Sequence, residues 1–247
     1  MVESAFVRVR LLCLIAALLI AGFASLRGQS TGLTFASTPI VSTIRFNPPP
    51  PVPSTLHPEV PAGRYTMTNP AVGDVNGDGY LDLVFAPSYY EYEPRLPIRI
   101  WLNTGTGEFV DRTDSIIEGP VPLVGYPNNV FIADLNRDGR SDIFIVDQGL
   151  ENTSPFEGAT NVLLLSQANG RLRDVSNVLI AETIQTFNHV SSLADVDGNG
   201  ALDVILSRLG GSRTFGDGIL FLLNDGTGNL RPSTTGSPDE IAWKLNT

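Results

Sequence analysis

The sequence predicts an all-β fold, a β-propeller of four-stranded antiparallel blades, of which three are visible. Three observations lead to this prediction. An acidic nine-residue motif occurs three times at a nearly constant interval. Each copy lies between short apolar, β-branched runs that lack a helical period. Two further strand-like runs follow each copy, and a repeat of four short strands indicates a propeller blade.

The acidic motif has the composition of a loop that binds a hard cation. Its copies read DVNGDGYLD (loop 1), DLNRDGRSD (loop 2) and DVDGNGALD (loop 3), and they begin at positions 74, 134 and 195, spaced by 60 and then 61 residues. Each copy has oxygen-bearing side chains at its positions 1, 3, 5 and 9, and the glycine at position 6 allows a sharp turn. Without a cation, the three carboxylates of a loop would repel one another at short range.

The motif therefore predicts Ca²⁺ in each loop, about three ions in all. Position 7 would add its backbone carbonyl oxygen, as in other oxygen-ligated Ca²⁺ loops, so an arginine there is no obstacle. The alternative is a solvated turn rich in Asn, Gly and Asp, but the threefold repeat in register favours the cation. The predicted ligands are Asp74, Asn76, Asp78, Tyr80 and Asp82 in loop 1, Asp134, Asn136, Asp138, Arg140 and Asp142 in loop 2, and Asp195, Asp197, Asn199, Ala201 and Asp203 in loop 3.

The residues around the loops exclude the helical Ca²⁺ motifs. An EF-hand needs flanking helices and a glutamate at position 12, which here holds Phe85, Ile145 and Leu206. A dockerin module also leads into helices, and it repeats at a shorter interval. Here a strand-like run precedes each loop (NPAVG, NVFIA, VSSLA) and another follows it (LVFAP, IFIVD, VILSR). Each loop is thus predicted to connect two strands of a hairpin.

Two more predicted strands complete each unit of about 60 residues. The third strands read IRIWLN, NVLLLS and ILFLLN, and turns that contain glycine follow them. The fourth strands, EFVDRT, RLRDVS and NLRPST, are the most polar, which predicts an outer edge. The predicted propeller region spans 66–247, with blades at 66–114, 128–177 and 189–236 and the start of a fourth at 237–247.

Three blades are fewer than the about four to eight that close a propeller. An open arc would expose two apolar blade faces, which soluble monomers avoid. We therefore expect the sequence to be part of a longer protein. Closure by oligomerisation and a stable arc of three blades are the alternatives.

The loops resemble those of FG-GAP or VCBS-type repeats. The resemblance is carried by the Asp-x-Asx-x-Asx-Gly-x-x-Asp motif, by the small residues Gly73, Ala133 and Ala194 before it, and by the turns in WLNTGTGEF and LLNDGTGNL. It covers roughly residues 66–236. Such repeats form the propeller of integrin α-subunits and of many bacterial surface and secreted proteins. The resemblance implies Ca²⁺ between the first two strands of each blade.

The charge of the chain excludes a nucleic-acid partner. The 247 residues carry a net charge of −10, and no basic cluster is present to meet phosphates. Nine of the 26 acidic residues lie in the three loops. The acidity is therefore largely a property of the predicted metal sites rather than evidence for a basic partner.

The N-terminus reads as a secretory signal peptide over residues 1–24. Arg8 and Arg10 precede the apolar run LLCLIAALLIAGFA, which ends in a small-x-small cleavage site. The alternative is an uncleaved membrane anchor, but the run is short for a spanning helix. Cleavage would remove Cys13 and leave no disulfide. We expect a secreted protein, extracellular or periplasmic, whose only possible membrane contact is an uncleaved signal.

Residues 25–65 are predicted to be an extended, proline-rich segment. The run NPPPPVP has polyproline II character and reads as a spacer, or as a peptide ligand for an aromatic groove. The run LTFASTPIVSTIRF before it alternates weakly, so it could form a lone strand that docks onto a blade.

A ligand surface is predicted on the propeller face opposite the acidic loops. The connections between second and third strands, at 88–97, 148–160 and 209–218, are longer and more varied, as binding loops tend to be. The alternative for the tyrosines there is packing on a neighbouring blade. The candidate ligand-binding residues are Tyr89, Tyr90, Glu91, Tyr92, Glu93 and Arg95.

Catalysis has little support in the sequence, and we expect no enzyme. The two histidines, His57 and His189, have no nucleophile or zinc cluster around them in the sequence. The first hypothesis is a calcium-binding module for adhesion to a protein or glycan. The second is the N-terminal propeller of a larger secreted enzyme or lectin whose active region lies beyond Thr247. The third is a structural spacer.

Overall fold

The computed structural model describes residues 45–47, 65–67, 70–89, 95–149, 158–180, 185–208 and 218–233. The predicted signal peptide, most of the proline-rich segment, Tyr90 to Glu93 and the predicted start of a fourth blade lie outside the described residues. The strands in chain order are β1 (Arg45–Asn47), β2 (Tyr65–Met67), β3 (Ala71–Gly73), β4 (Asp82–Phe85), β5 (Pro87–Tyr89), β6 (Leu96–Pro97), β7 (Arg99–Asn103), β8 (Glu108–Asp111), β9 (Ile117–Glu118), β10 (Leu123–Val124), β11 (Pro127–Ala133), β12 (Asp142–Asp147), β13 (Ala159–Thr160), β14 (Val162–Ser166), β15 (Leu172–Asp174), β16 (Gln185–Thr186), β17 (Asn188–Ala194), β18 (Asp203–Arg208), β19 (Gly218–Asn224) and β20 (Leu230–Pro232). Two one-turn helices are α1 (Thr113–Ile116) and α2 (Ser176–Leu179).

Three antiparallel sheets form the blades. In each sheet the four blade strands lie side by side in the order in which they occur along the chain. Blade 1 contains β3, β4, β7 and β8, blade 2 contains β11, β12, β14 and β15, and blade 3 contains β17 to β20. The first strands of neighbouring blades contact each other, β3 with β11 and β11 with β17. The predicted all-β, propeller-like fold of four-stranded antiparallel blades is therefore confirmed.

The prediction that the fourth strand forms an outer edge is wrong for blades 1 and 2. Strand β1 pairs in parallel with β8, and β9 pairs in parallel with β15. In blade 3 the same position holds a single parallel bridge between Ile180 and Leu230. Each blade thus receives a segment of the chain that precedes it, which satisfies backbone groups that an edge would leave unpaired. The docking strand expected near LTFASTPIVSTIRF is observed at β1.

Three two-stranded ribbons lie beyond the blade strands, β2 with β5, β6 with β10 and β13 with β16. Two of them, β6 with β10 and β13 with β16, join the middle hairpin of one blade to the segment that enters the next blade. Strand β4 runs from loop 1 toward β5, so the first ribbon lies at the opposite end of the blade from its acidic loop.

The core lies between the blades rather than within one sheet. Ile143, Ile145 and Leu164 of blade 2 pack in one cluster with apolar side chains of blade 1. Phe144 and Leu163 lie on the other side of the same sheet and pack against blade 3. Because blade 2 is covered on both faces, every residue of β12 is buried, and the strand reads as a continuous apolar run instead of an alternating one.

The two outer faces of the arc differ. On the side of blade 1 away from blade 2, Phe85 and Trp101 pack edge to face with ring centroids 4.5 Å apart, and Trp101 is 2% exposed. On the side of blade 3 away from blade 2, Val190 is 64% and Ile219 is 51% exposed. The expectation of two exposed apolar faces therefore holds for blade 3 and not for blade 1.

A short polar cap closes the fourth strand in blades 1 and 2. The Asp111 Oδ1 atom accepts hydrogen bonds from the Thr113 backbone N–H at 3.0 Å and from the Thr113 hydroxyl at 2.6 Å. The Thr113 hydroxyl oxygen in turn accepts from the buried Ile100 N–H at 2.9 Å. Asp174 and Ser176 repeat this arrangement in blade 2. This Asp-x-Thr/Ser pattern was not predicted from the sequence. In blade 3, Pro232 takes the place of its aspartate.

Replacing Thr113 with valine should destabilise the protein by about 1–3 kcal/mol, because the buried Ile100 N–H would lose its acceptor. The measurement is the denaturant midpoint at constant calcium. Ser115→Ala is the control, since the Ser115 hydroxyl is exposed and donates to the Arg112 carbonyl. Equal midpoints for the two variants would contradict the cap.

Candidate metal sites in the acidic loops

The first aspartate of each loop organises the turn through backbone donors. In loop 1, Asp74 Oδ1 accepts from the Gly77 N–H at 2.7 Å, and Oδ2 accepts from the Gly79 N–H at 2.8 Å. The equivalent bond to Oδ2 is 2.8 Å for Asp134 and 2.9 Å for Asp195. Glycine at position 6 is required because its φ is near +80° to +90° in all three loops.

The ninth residue of each loop has a buried carboxylate that accepts hydrogen bonds from the loop and from the third strand of the blade. Asp82 Oδ2 accepts from the Val75 N–H at 3.0 Å, and Oδ1 accepts from the Asn103 N–H at 2.9 Å. Asp142 and Asp203 repeat both bonds at 2.7–2.9 Å, and all three side chains are 0% exposed. This residue therefore ties the loop to the end of the third strand of its blade.

The residues that end the third strands were missed by the sequence analysis. They are Asn103, Ser166 and Asn224, one in each blade, and each donates its backbone N–H to the ninth aspartate. The repeated sequences WLN and LLN, which end at Asn103 and Asn224, were the one sequence feature that pointed to this position. A backbone donor leaves little constraint on the side chain, which is why the second blade can hold serine there.

The ionised form of the ninth aspartate is unfavourable without a cation. Burial raises the pKa of Asp82 to about 7, against the backbone hydrogen bonds from Asn103 and Val75 that lower it. Burial also raises the pKa of Asp142 and of Asp203. A cation beside such a carboxylate would favour its charged form. The donor set, carboxylate and amide oxygens around a turn, fits a hard divalent cation.

The three loops differ in how their carboxylates are placed. In loop 3, Asp195, Asp197 and Asp203 bring carboxylate oxygens within 4.8 Å of one another, and this is the one such acidic group found among the described residues. Loops 1 and 2 have asparagine at position 3 and the acid at position 5. There Asn76 Nδ2 donates to Asp78 at 2.8 Å.

Loop 2 carries a guanidinium group inside the motif. The Arg140 Nη2 atom donates to Asp138 Oδ2 in an ion pair, and Asn136 Nδ2 donates to the same oxygen at 3.0 Å. Asp138 is thus already paired with a positive charge, in contrast to the carboxylates of loop 3.

Position 7 is fixed by its own N–H in every loop. Tyr80 donates to Asp78 Oδ1 at 2.9 Å, Arg140 to Asp138 Oδ1 at 3.0 Å, and Ala201 to Asn199 Oδ1 at 2.7 Å. The role of these residues as carbonyl ligands stays a prediction. The Tyr80 ring is 49% exposed and lies against Gly105, where a side chain would clash with it.

The chain is similar to a known repeat family in the region that holds loops 1 and 2. The model of the FG-GAP-like repeat matches residues 74–145. Residues 74–145 therefore carry an FG-GAP-like repeat. The resemblance inferred from the loops is thereby confirmed, and it extends to integrin α chains.

Several integrin α chains are similar to this chain. Integrin alpha-3 of Cricetulus griseus is 28% identical over 157 residues, which cover 60% of this chain and 14% of the relative. Integrin alpha-7 of Rattus norvegicus is 30% identical over 174 residues, which cover 63% of this chain and 14% of the relative. The chain therefore corresponds to a small part of these relatives. Within its described residues, no helix is both long and apolar enough to cross a membrane.

The predicted ligand patch is described only at its ends. Tyr89 is the last residue of β5 and pairs with Tyr65, and Arg95 is exposed just before β6. The remaining four residues of the patch lie outside the described part of the chain. The patch stays a prediction.

Replacing Asp197 with asparagine should weaken a cation site without unfolding the loop. Asn76 and Asn136 occupy the same position in loops 1 and 2 and accept the same backbone bond that Asp197 accepts from the Asn199 N–H at 3.1 Å. We expect calcium affinity of loop 3 to fall about tenfold, equivalent to about 1.4 kcal/mol. In chelator, stability should be unchanged or slightly raised, because repulsion among the three carboxylates is relieved.

Calorimetric calcium titration and thermal melting with and without chelator measure both effects. Asp114→Asn, an exposed acid outside the loops, is the control. A variant that binds calcium as tightly as the parent protein would remove Asp197 from the site.

Proposed function

We propose that the protein is a calcium-stabilised, secreted propeller module that binds a protein or glycan ligand and has no catalytic activity of its own. The observation that carries the proposal is the recurrence, in all three blades, of one clamp in which a buried ninth aspartate joins an acidic turn to the third strand. The similarity to integrin α chains supports an adhesion-type role.

Calcium suits these loops better than magnesium. Five oxygen ligands per loop, one of them a backbone carbonyl, together with a bidentate carboxylate or bound water, would supply the 6–8 oxygens of the flexible Ca²⁺ coordination. Mg²⁺ prefers octahedral geometry and retains several waters. A bound Ca²⁺ would neutralise the clustered carboxylates and hold the turn against the ninth aspartate.

The ligand surface is proposed at the end of the blades opposite the acidic loops. The ribbons β6 with β10 and β13 with β16 support the connections that contain the predicted binding loops at 88–97 and 148–160. The patch from Tyr89 to Arg95 offers tyrosines and charges of both signs, and tyrosine is enriched at protein interfaces. The second candidate is a propeller that belongs to a larger secreted enzyme or lectin.

A calcium titration of the secreted protein tests the metal assignment. The chain is expressed with its own N-terminus, recovered from the medium or periplasm, and stripped with chelator. We expect about three ions per chain and a rise in melting temperature, since binding to the folded state adds about 2.7 kcal/mol per site at 100 times Kd. The intact mass should place the first residue near Ser25. A folded chain that binds no calcium would refute the metal sites.

Arrays of extracellular proteins and of glycans, probed with calcium present, test the ligand class. Arg95→Ala should reduce any hit, whereas Ser115→Ala, at an exposed position of α1 in blade 1, should not. A hit on glycans alone would identify a lectin-type module. No hit on either array would leave a structural spacer and overturn the binding role.

A further inference from the structure

Loops 2 and 3 are joined across the blade interface by the side chain of Asn224. Its Nδ2 atom donates to the buried carbonyl of Leu135 in loop 2 at 2.7 Å and to the Leu202 carbonyl in loop 3 at 3.0 Å. Its backbone N–H donates to Asp203 at 2.7 Å, and its carbonyl accepts from Asn199 Nδ2 at 2.8 Å. One buried residue therefore contacts two predicted ligands of loop 3 and the backbone of loop 2.

Arg137 provides a second connection, which runs from loop 2 to loop 3. It lies at position 4 of loop 2, and its Nη1 atom donates to the carbonyl of Asn199 in loop 3 at 3.3 Å. The same side chain lies against Gly200 and Gly226 of blade 3, where added Cβ atoms would come within 3.3 and 3.1 Å of it. These glycines leave the space that the arginine fills.

The backbone of Arg137 is strained at this position. Its φ is +62°, and it is the one non-glycine residue with positive φ among the described residues. Loops 1 and 3 hold Gly77 and Gly198 at the same position, with φ of +78° and +75°. A left-handed conformation is unfavourable for a residue that has a side chain. Here the Arg137 side chain contacts blade 3 at Asn199, Gly200 and Gly226.

The interface between loop 1 and blade 2 lacks both connections. The counterpart of Asn224 is Ser166, whose hydroxyl donates to Asp142 within its own blade at 3.1 Å. The counterpart of Arg137 is Gly77, which has no side chain. Loop 1 meets blade 2 through packing, with Val75 in the core cluster shared with blade 2 and the Asn76 carbonyl 3.2 Å from where a Cβ of Gly170 would lie.

We propose that Asn224 and Arg137 couple the cation sites of loops 2 and 3, so that binding at one raises the affinity of the other, while loop 1 binds independently. The inference rests on the proposed calcium sites. A cation in loop 3 fixes Asn199 and Asp203, and these hold Asn224 and Arg137 against loop 2. The conformational entropy lost on ordering the two loops is then largely lost when the first cation binds, so the second cation binds more tightly. The coupling is reciprocal.

The coupling can be measured by calcium titration with loop 1 disabled throughout by Asp74→Ala. Adding Asp195→Ala leaves loop 2 alone, and adding Asp134→Ala leaves loop 3 alone. We expect the Kd of each site to be at least about fivefold lower when the other loop is intact, the lower end of typical coupling. The coupling ratio is the Kd of a site with the other loop disabled, divided by its Kd with the other loop intact. In Arg137→Gly and Asn224→Ser backgrounds, which copy the residues of loop 1 and blade 2, this ratio should fall toward one.

Two matched controls separate coupling from loss of structure. Asn103→Ser changes the corresponding residue of blade 1, whose Nδ2 donates only within its own blade to the Leu81 carbonyl at 3.2 Å, so the ratio for loops 2 and 3 should persist. Loops 1 and 2, titrated with loop 3 disabled, should give a ratio near one. In chelator, Asn224→Ser should speed amide exchange in loop 2, and Asn103→Ser should not.

The outcomes distinguish this proposal from the proposed function. Three calcium sites with ratios near one in the parent background would overturn the coupling and leave the metal sites standing. A ratio that survives both Arg137→Gly and Asn224→Ser would also overturn it. A folded chain that binds no calcium would overturn both, and the exchange experiment would then report only on the structural link between the blades.

Discussion

The fold depends on one repeated interaction, the buried ninth aspartate of each acidic loop. Asp82, Asp142 and Asp203 each accept one backbone N–H from the loop and one from the end of the third strand of the same blade. A nine-residue turn with three acids has few apolar side chains to hold it in place, among them the buried Val75, Leu135 and Ala201. The ninth carboxylate adds a polar anchor, but burial raises its pKa, so its charged form is unfavourable there.

The strands that follow this aspartate explain why the blades must associate. In blade 2 both faces of β12 and β14 are apolar, so a single blade would leave both of them in water. Stacking on blades 1 and 3 buries them. The segments that enter each blade then run along its outer strand in parallel, so consecutive blades are connected at the outside as well as through their cores.

The sequence predicted the parts of this architecture that repeat as side-chain patterns. The four strands of each blade and the three loops follow from apolar runs and from oxygen-bearing residues at fixed spacing. The parallel fifth strand of blade 2 could not be predicted, because Ile117 and Glu118 pair through backbone atoms with residues 55 positions away along the chain. The roles of Asn103, Ser166 and Asn224 were hidden for a similar reason: their shared contribution is an N–H, which every residue except proline offers.

Equal spacing in the sequence does not make the three acidic loops equal. Loop 3 gathers three carboxylates with no cationic side chain among the partners observed for them, whereas loop 2 places Arg140 on Asp138. The arginines at positions 4 and 7 reduce the formal charge of loop 2 from −3 to −1. A loop with less negative charge attracts a divalent cation less strongly on its own, so loop 2 gains most from a neighbour that holds its backbone in place. The contacts of Asn224 and Arg137 supply that support at the interface where the motif's own electrostatics are weakest.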